Sequence, residues 1–313
     1  MTPSSPATSA EHARLTSQTA ALSVGVAVFL ILIKAWAWFA SGSVAMLASL
    51  ADSALDFAAS LFTYFAVRYA AAPPDREHRF GHGKAEAFAG LVQAGLVAVS
   101  AVLIGLEALS RFLNPRAISN GPESMVVMAI SIFVTASLVV AQSSALARTG
   151  SVATRADRLH YAGDIGSNVV VIAGLAAGIY LGLTWADAAA GLIVAAWLVW
   201  GALQVSSEAA NHLLDRELPD ADRARIRTLA ESDPRISRVH DLRTRTSGPY
   251  VHIQFHADLE PSMTLEEAHK IIVAAEERIR AAYPAADIII HPDPRDRAEP
   301  HGHEDFERRA EPG

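Results

Sequence analysis

Hydrophobic residues fill the first two thirds of the chain in six blocks, at residues 20–40, 44–67, 87–106, 125–147, 165–183 and 188–205. Each block approaches the roughly 20 apolar residues that a helix needs to cross a bilayer, so the pattern predicts six membrane-spanning helices. Beyond Pro219 the blocks give way to short amphipathic runs: a helix over 221–232, strands over 237–246 and 250–259, a helix over 264–283 and a strand over 286–291. The predicted fold class is a mainly α membrane protein of six transmembrane helices followed by a C-terminal α+β domain of order αββαβ. Its divisions are an N-terminal segment at 1–19, a transmembrane domain at 20–212, the C-terminal domain at 213–295 and a tail at 296–313. The tail is charged, contains proline and lacks an apolar period, so disorder is expected there. Its His301 and His303 read as solvated side chains or as weak metal ligands.

Of 313 residues, 51% are hydrophobic and 19% charged, which is more apolar than an ordinary soluble domain. Most acids and bases follow Asp215, so the net charge of −7 describes the polar C-terminal part. No basic stripe offers itself to nucleic acid. With no cysteine the chain has neither a disulfide framework nor a thiolate metal site, which leaves histidine and carboxylate for any transition-metal chemistry. The first 19 residues are polar and the apolar run after them is too long for a signal-peptide core, so no cleavage is expected.

An even number of spans puts both termini on one side. Short connections on that side hold Arg14, Arg68, Arg76, Arg79, Lys84, Arg148, Arg155 and Arg158, against Arg111 and Arg116 on the other, so the termini and the C-terminal domain are expected in the cytoplasm. Within the spans, Lys34 reads as a snorkelling or packing residue and Glu107 as a boundary anchor. Asp52 and Asp56 admit no such reading. An aspartate at a span centre costs about 2.5–3.5 kcal/mol, and two of them one turn apart repel across a helix face. His160 and Asp164, at the same spacing where the fifth span begins, offer a second pair on one face. Together the four side chains make a tetrahedral N/O ligand set. Three carboxylates, a neutral imidazole and a dipositive ion sum to −1, so metal removes most of the charge problem. The two pairs are level in the membrane if the fifth span leaves it near Gly178. The rival reading has Asp52 and Asp56 bonding neighbouring helices and His160 and Asp164 in a cytoplasmic loop.

Two further groups carry metal-ligand chemistry. The loop "DREHRFGHGK" has Asp75, His78 and His82 spaced to turn around one ion, with a solvated charged loop as the rival reading. The C-terminal module carries His240, His256, His269, His291 and Asp293, each of them taken singly an ordinary surface residue. His252 shares a strand face with His256.

"SLADSALD", "HRFGHGKAE", "DRLHYAGD", "LLDRELPD", "HDLRTRTSGP" and "DIIIHPDP", in that order over about residues 15–295, resemble the cation diffusion facilitator family of divalent-metal/proton antiporters, and most of all its bacterial zinc and ferrous-iron efflux branch. The resemblance implies a homodimer in the bacterial inner membrane, six spans per protomer and a cytoplasmic domain like small metallochaperones. It implies that Asp52, Asp56, His160 and Asp164 are the transport site and that the Asp75, His78, His82 loop is a second metal site. It further implies that His240, His256, His269, His291 and Asp293 build a two-metal cluster joining the domains of the dimer. His252 lies outside that pattern. Lys84 and Asp215 are implied as a salt bridge at the dimer interface.

The expected function is therefore export of Zn(II) from the cytoplasm by alternating access, with protons as counter-ion. The imidazole favours Zn(II) and then Fe(II), Co(II) or Cd(II) over Mg(II) and Mn(II). A membrane metal receptor or scaffold that senses without transporting is the alternative. An intramembrane hydrolase is disfavoured, because the tetrad closes the fourth metal position and no H-E-x-x-H base is present.

Overall fold

The computed structural model describes residues 9–41, 44–113, 122–181 and 185–296. Arg116, His301, His303 and the tail expected to be disordered lie outside these. The chain forms two compact units, Met1–Leu213 and Leu214–Gly313.

The first unit consists of long helices: α1 (Ser9–Ser41), α2 (Val44–Ala70), α3 (Lys84–Leu113), α4 (Pro122–Thr149), α5 (Val152–Leu181) and α6 (Ala186–Leu213). At 1.5 Å per residue, helices of this length rise about 40–50 Å, more than the hydrocarbon core of about 30 Å. Five of them, α1, α2, α3, α4 and α6, are long and apolar enough among the described residues to cross a membrane. The remaining helix, α5, corresponds to the fifth predicted span, and its first half carries Arg155, Asp157, Arg158, His160 and Asp164. The apolar block starting at residue 165 set the expected boundary; the helix begins at Val152 instead. His160 and Asp164 thus stand on regular helix and not in a loop.

Exposed large side chains such as Trp36, Phe39, Phe133, Ile193 and Leu203 stud the outside of this unit. On a soluble protein such surface marks an interaction site; on helices long and apolar enough to cross a membrane it is the surface that lipid can cover. Inside, the contacts use small residues, as expected where lipid tails remove the hydrophobic drive between helices. Ala94, Val152, Ala156, Val205 and Ala209 form one cluster, and Val97, Ala101, Leu198 and Ala202 another. Glycines set the seat of α5. A Cβ on Gly90 of α3 would come within 2.7 Å of Val152 Cγ1, and one on Gly163 of α5 within 2.7 Å of Leu198. α5 therefore lies close against α3 and α6 at the level of the acidic and histidine residues it carries.

The second unit contains α7 (Asp220–Ala230), β1 (Arg238–Ser247), β2 (Tyr250–Leu259), α8 (Leu265–Ala282) and β3 (Ala286–Pro294), matching the expected αββαβ order. β2 is central, antiparallel to β1 and parallel to β3, with α8 as the crossover. Thr264 caps α8 in a reciprocal capping box with Glu267. Ile226, Ile253, Phe255, Ile271 and Ile279 fill the core between the sheet and the helices. β1 bulges between His240 and Arg243, where Asp241 takes φ 49. β3 runs to Pro294, past the expected end at 291, and so carries both His291 and Asp293.

Phe255 is 2% exposed at the centre of that core. Phe255→Ala is expected to destabilise the C-terminal unit by about 3–5 kcal/mol, read as a lower denaturant midpoint at unchanged slope. A loss under about 1 kcal/mol would contradict the packing described.

Candidate metal centres

Ligand atoms of Asp56, His160 and Asp164 all lie within 4.8 Å of one another. His160 Nε2 is 2.9 Å from Asp56 Oδ1 and 3.9 Å from Asp164 Oδ2. The His160 and Asp56 side chains are 10% and 11% exposed, and that of Asp164 32%. Asp56 of α2 thus stands beside both members of the α5 pair. Asp52 is the exception: it is exposed and its carboxylate is outside the group. It stands one turn, about 6 Å, along α2 from Asp56, and its neighbours include the like charge of Asp56 and the opposite charge of Lys34. Lys34 does not snorkel outward. Its Nζ donates to Ser53 Oγ at 2.7 Å and to Ser49 O at 3.3 Å, on α2 beside Asp52. Glu107 accepts from Arg111 Nε at 2.8 Å, a boundary pair within α3.

The contact of α2 with α5 is slight and polar. Besides Asp56 and His160, it includes Ser60 Oγ, 2.8 Å from the hydroxyl of Tyr161, which is fully buried. The Tyr161 hydroxyl donates to Ser23 O on α1 at 3.3 Å. A tyrosine hydroxyl has a single hydrogen, so Ser60 is the donor to Tyr161. Next to this lies a second buried set. Ser23 Oγ and Gln142 Nε2 both donate to Asp157 Oδ2, at 2.6 and 2.8 Å. Sequence reasoning passed over Asp157, although residues 157, 160 and 164 share one helical face by their i, i+3, i+7 spacing. It passed over His12 as well, whose Nε2 is 3.2 Å from Glu86 Oε2, both side chains buried.

In the loop after α2, Asp75, His78 and His82 form a second group with ligand atoms within 4.8 Å. The Glu77 and His78 backbone N–H groups donate to Asp75 Oδ1 at 2.9 and 2.6 Å, an Asx turn. These bonds, that from His78 foremost, hold the exposed Asp75 carboxyl below the ordinary carboxylate range. His82 is buried, with Nδ1 3.4 Å from Ala72 O and Nε2 3.3 Å from Asp75 Oδ2. Donation from Nδ1 to the carbonyl leaves the Nε2 lone pair aimed at Asp75, the tautomer a metal needs. Gly81, at φ 79, turns the chain between the two histidines.

The sheet register assembles the third group. His240 on β1 pairs with His256 on β2, which pairs with His291 on β3, so three imidazoles cross the sheet in one rank. Asp293, 3% exposed, lies 2.8 Å from His256 Nδ1, 3.4 Å from His240 Nε2 and 3.3 Å from His291 Nε2. His240, His256 and Asp293 meet the 4.8 Å criterion together. His269, on α8, is exposed and is not in this group within one protomer. Two carboxylates that the spacing did not single out adjoin the rank: Asp258, 3.2 Å from His240 Nε2, and Asp241, 3.7 Å from His256 Nε2. Asp241 reaches it through the bulge. His252 is buried and sits 3.2 Å from Asp287.

Lys84 and Asp215 belong to different units. Lys84 Nζ donates to Leu213 O at 3.2 Å, and Asp215, at φ 58, accepts from Arg245 Nη1 at 3.3 Å.

Comparison with known proteins gives two family matches: residues 20–214 to the cation efflux transmembrane domain and residues 218–295 to the cation efflux protein cytoplasmic domain. The chain is similar to the cation-efflux pump FieF of Shewanella oneidensis, 42% identical over 87% of this chain and 92% of the relative. It is also similar to the cation-efflux pump FieF of Klebsiella pneumoniae, 40% identical over 90% of this chain and 94% of the relative. The pump of the same name from Cronobacter sakazakii is 39% identical over 91% and 94%.

The loop geometry makes a binding prediction. Asp75→Ala is expected to weaken Zn(II) at one site by about tenfold or more while leaving the sheet group intact, measured by titration calorimetry of the purified protein. An unchanged isotherm would return the loop to a solvated turn.

Proposed function

This chain belongs to the cation efflux family, the cation diffusion facilitators, and is a multi-pass membrane transporter of metal cations and not an enzyme; from that premise we propose that it exports Zn(II) from the cytoplasm in exchange for protons. The observation that carries this reading is the convergence of Asp56, His160 and Asp164 from two helices inside an apolar bundle. Asp52, one turn away, is the fourth ligand, reached by a rotation of its side chain. Zn(II) suits an imidazole and carboxylate set, with Fe(II), Co(II) and Cd(II) next.

Metal and proton compete for the same lone pairs, so protonation of His160 and the aspartates ejects the ion. Charge accounting supports exchange. With metal bound, Asp52, Asp56 and Asp164 balance the dipositive ion and the Lys34 ammonium beside Ser53. Without metal, two protons restore the same neutral total, one on His160 and one on a carboxyl. Moving two positive charges outward against 100 mV costs about 4.6 kcal/mol, and each proton admitted recovers about half of it. The bundle opens alternately to each side around this site, and the slight, polar contact of α2 with α5 is the seam that responds to the swap.

The protein acts as a homodimer in the bacterial inner membrane with both termini cytoplasmic. The group of Asp75, His78 and His82 is a cytoplasmic metal site at the mouth of the bundle. His240, His256, His291 and Asp293, with His269 completing the set at the dimer, bind metal between the cytoplasmic domains and bias the cycle by holding one dimer arrangement. Lys84 and Asp215 pair at the dimer interface and tie the span bundles together.

Purified protein in sealed vesicles is expected to couple Zn(II) flux to a pH change. Asp52→Ala and His160→Ala are each expected to reduce that flux at least about tenfold with folding and dimerisation intact. Metal binding without any flux-coupled pH change would favour a receptor that senses without transporting.

A further inference from the structure

Asp157, on α5 three residues before His160, is 2% exposed and has no cation against it in the geometry above. Its Oδ2 accepts from Ser23 Oγ of α1 and from Gln142 Nε2 of α4. Its Oδ1 is buried with no hydrogen-bond partner, and so is Gln142 Oε1. Both orphans are acceptors, and an ionised carboxylate has no hydrogen to offer. Buried acceptors are normally satisfied. One hydrogen satisfies both: Gln142 already faces Asp157 through Nε2 at 2.8 Å from Oδ2. Interchanging the amide nitrogen and oxygen does not remove the shortfall, because Oε1 would then face Oδ2 at that distance with no hydrogen between them.

We propose that Asp157 is a proton-binding site outside the metal ligands, with Oδ1 carrying a hydrogen that it donates to Gln142 Oε1 in a closed carboxylic acid–amide pair. The surroundings agree. The titratable groups that act on it electrostatically are Asp56 of α2 and, on α5 itself, His160 and Tyr161. α1 and α4 meet it with the neutral Ser23 and Gln142. The nearby guanidinium groups are turned elsewhere: Arg158 donates to Ser143 Oγ at 3.2 Å, and Arg155 pairs with Glu208 of α6 at 3.1 Å. Glu86 of α3 is engaged by His12 of α1, and Arg148 of α4 by Glu11. A neutral acid at this joint of α1, α4 and α5 needs no counter-ion. α5 also carries His160 and Asp164, so a shift of α5 against α1 and α4 opens the pair and exposes its hydrogen. Occupancy by the proton stands on these contacts alone and does not depend on the antiport reading.

The test is infrared spectroscopy of the full-length protein in lipid nanodiscs near neutral pH, saturated with zinc and with no gradient. The native protein is expected to show a protonated-carboxyl stretch that is lost in Asp157→Asn, kept in His160→Ala and moved to higher frequency in Gln142→Leu. Asparagine has the shape of the protonated acid and retains a donor for Gln142 Oε1, so this variant is expected to fold. Should it fail to fold, the Gln142→Leu shift decides the matter. A band unchanged in Asp157→Asn, a band unmoved in Gln142→Leu, or no acid band at all overturns the proposal and leaves an ionised carboxylate with water or a monovalent cation against Oδ1.

Discussion

Charge placed in hydrocarbon has to be compensated on the spot, and the transmembrane unit is organised around that requirement. An uncompensated carboxylate at mid-depth costs several times thermal energy, and several of the described acidic and basic groups within the bundle are found beside a polar partner from another helix. Asp56 meets His160, Lys34 reaches two oxygens of α2, Asp157 is wrapped by Ser23 and Gln142, and His12 faces Glu86. These polar pairs fix which helices are neighbours more sharply than the surrounding apolar contacts do, because a Leu or Ala is equally content against lipid.

The same requirement makes the unit responsive. α1 with α2, and α3 with α6, pack along much of their length, whereas α2 meets α5 at few positions and through polar, titratable side chains. An apolar seam would keep its strength whatever ion arrived. A seam made of carboxylate and imidazole changes strength with its occupant, a property that the proposed exchange would use. The glycine contacts of α5 with α3 and α6 act in the opposite sense, holding the ligand-bearing helix against a firm support.

Much of this was legible in the residues. Two carboxylates in an apolar run, and a histidine and aspartate at the same spacing further on, pointed to a shared group, and three of the four, Asp56, His160 and Asp164, do lie together. The order of the soluble module was readable from periodicity, and the helix expected from 264 forms as α8. What escaped has a physical reason in each case. The start of α5 was placed late because hydropathy detects lipid contact and not helix, and the first turns of α5 are polar. The outlying position of Asp52 is a matter of where its side chain points, which spacing does not encode. The rank of His240, His256 and His291 depends on strand register, which brings together residues far apart in the chain. Asp157 was overlooked because its partners come from two other helices, and single polar residues such as Ser23 and Gln142 are unremarkable within an apolar span.

The cytoplasmic sheet shows why a histidine-rich site suits a β scaffold. Neighbouring strands stand about 4.8 Å apart, so imidazoles at paired positions on three strands fall naturally within bridging distance of a common carboxylate, and the ring centroids of His240 and His256 are 5.3 Å apart and those of His256 and His291 4.8 Å. Asp293, two residues beyond His291 on the same strand face, then sits beneath the rank with both oxygens engaged. The bulge at Asp241 adds a carboxylate at the rim without disturbing the pairing on either side. A helix offers such convergence only at one-turn intervals, about 6 Å apart along its axis, so the bundle group draws Asp56 from one helix and His160 and Asp164 from another. The sheet fixes its ligands within one rigid layer. Under the proposed function, the sheet group is the one suited to holding metal and the bundle group the one suited to releasing it.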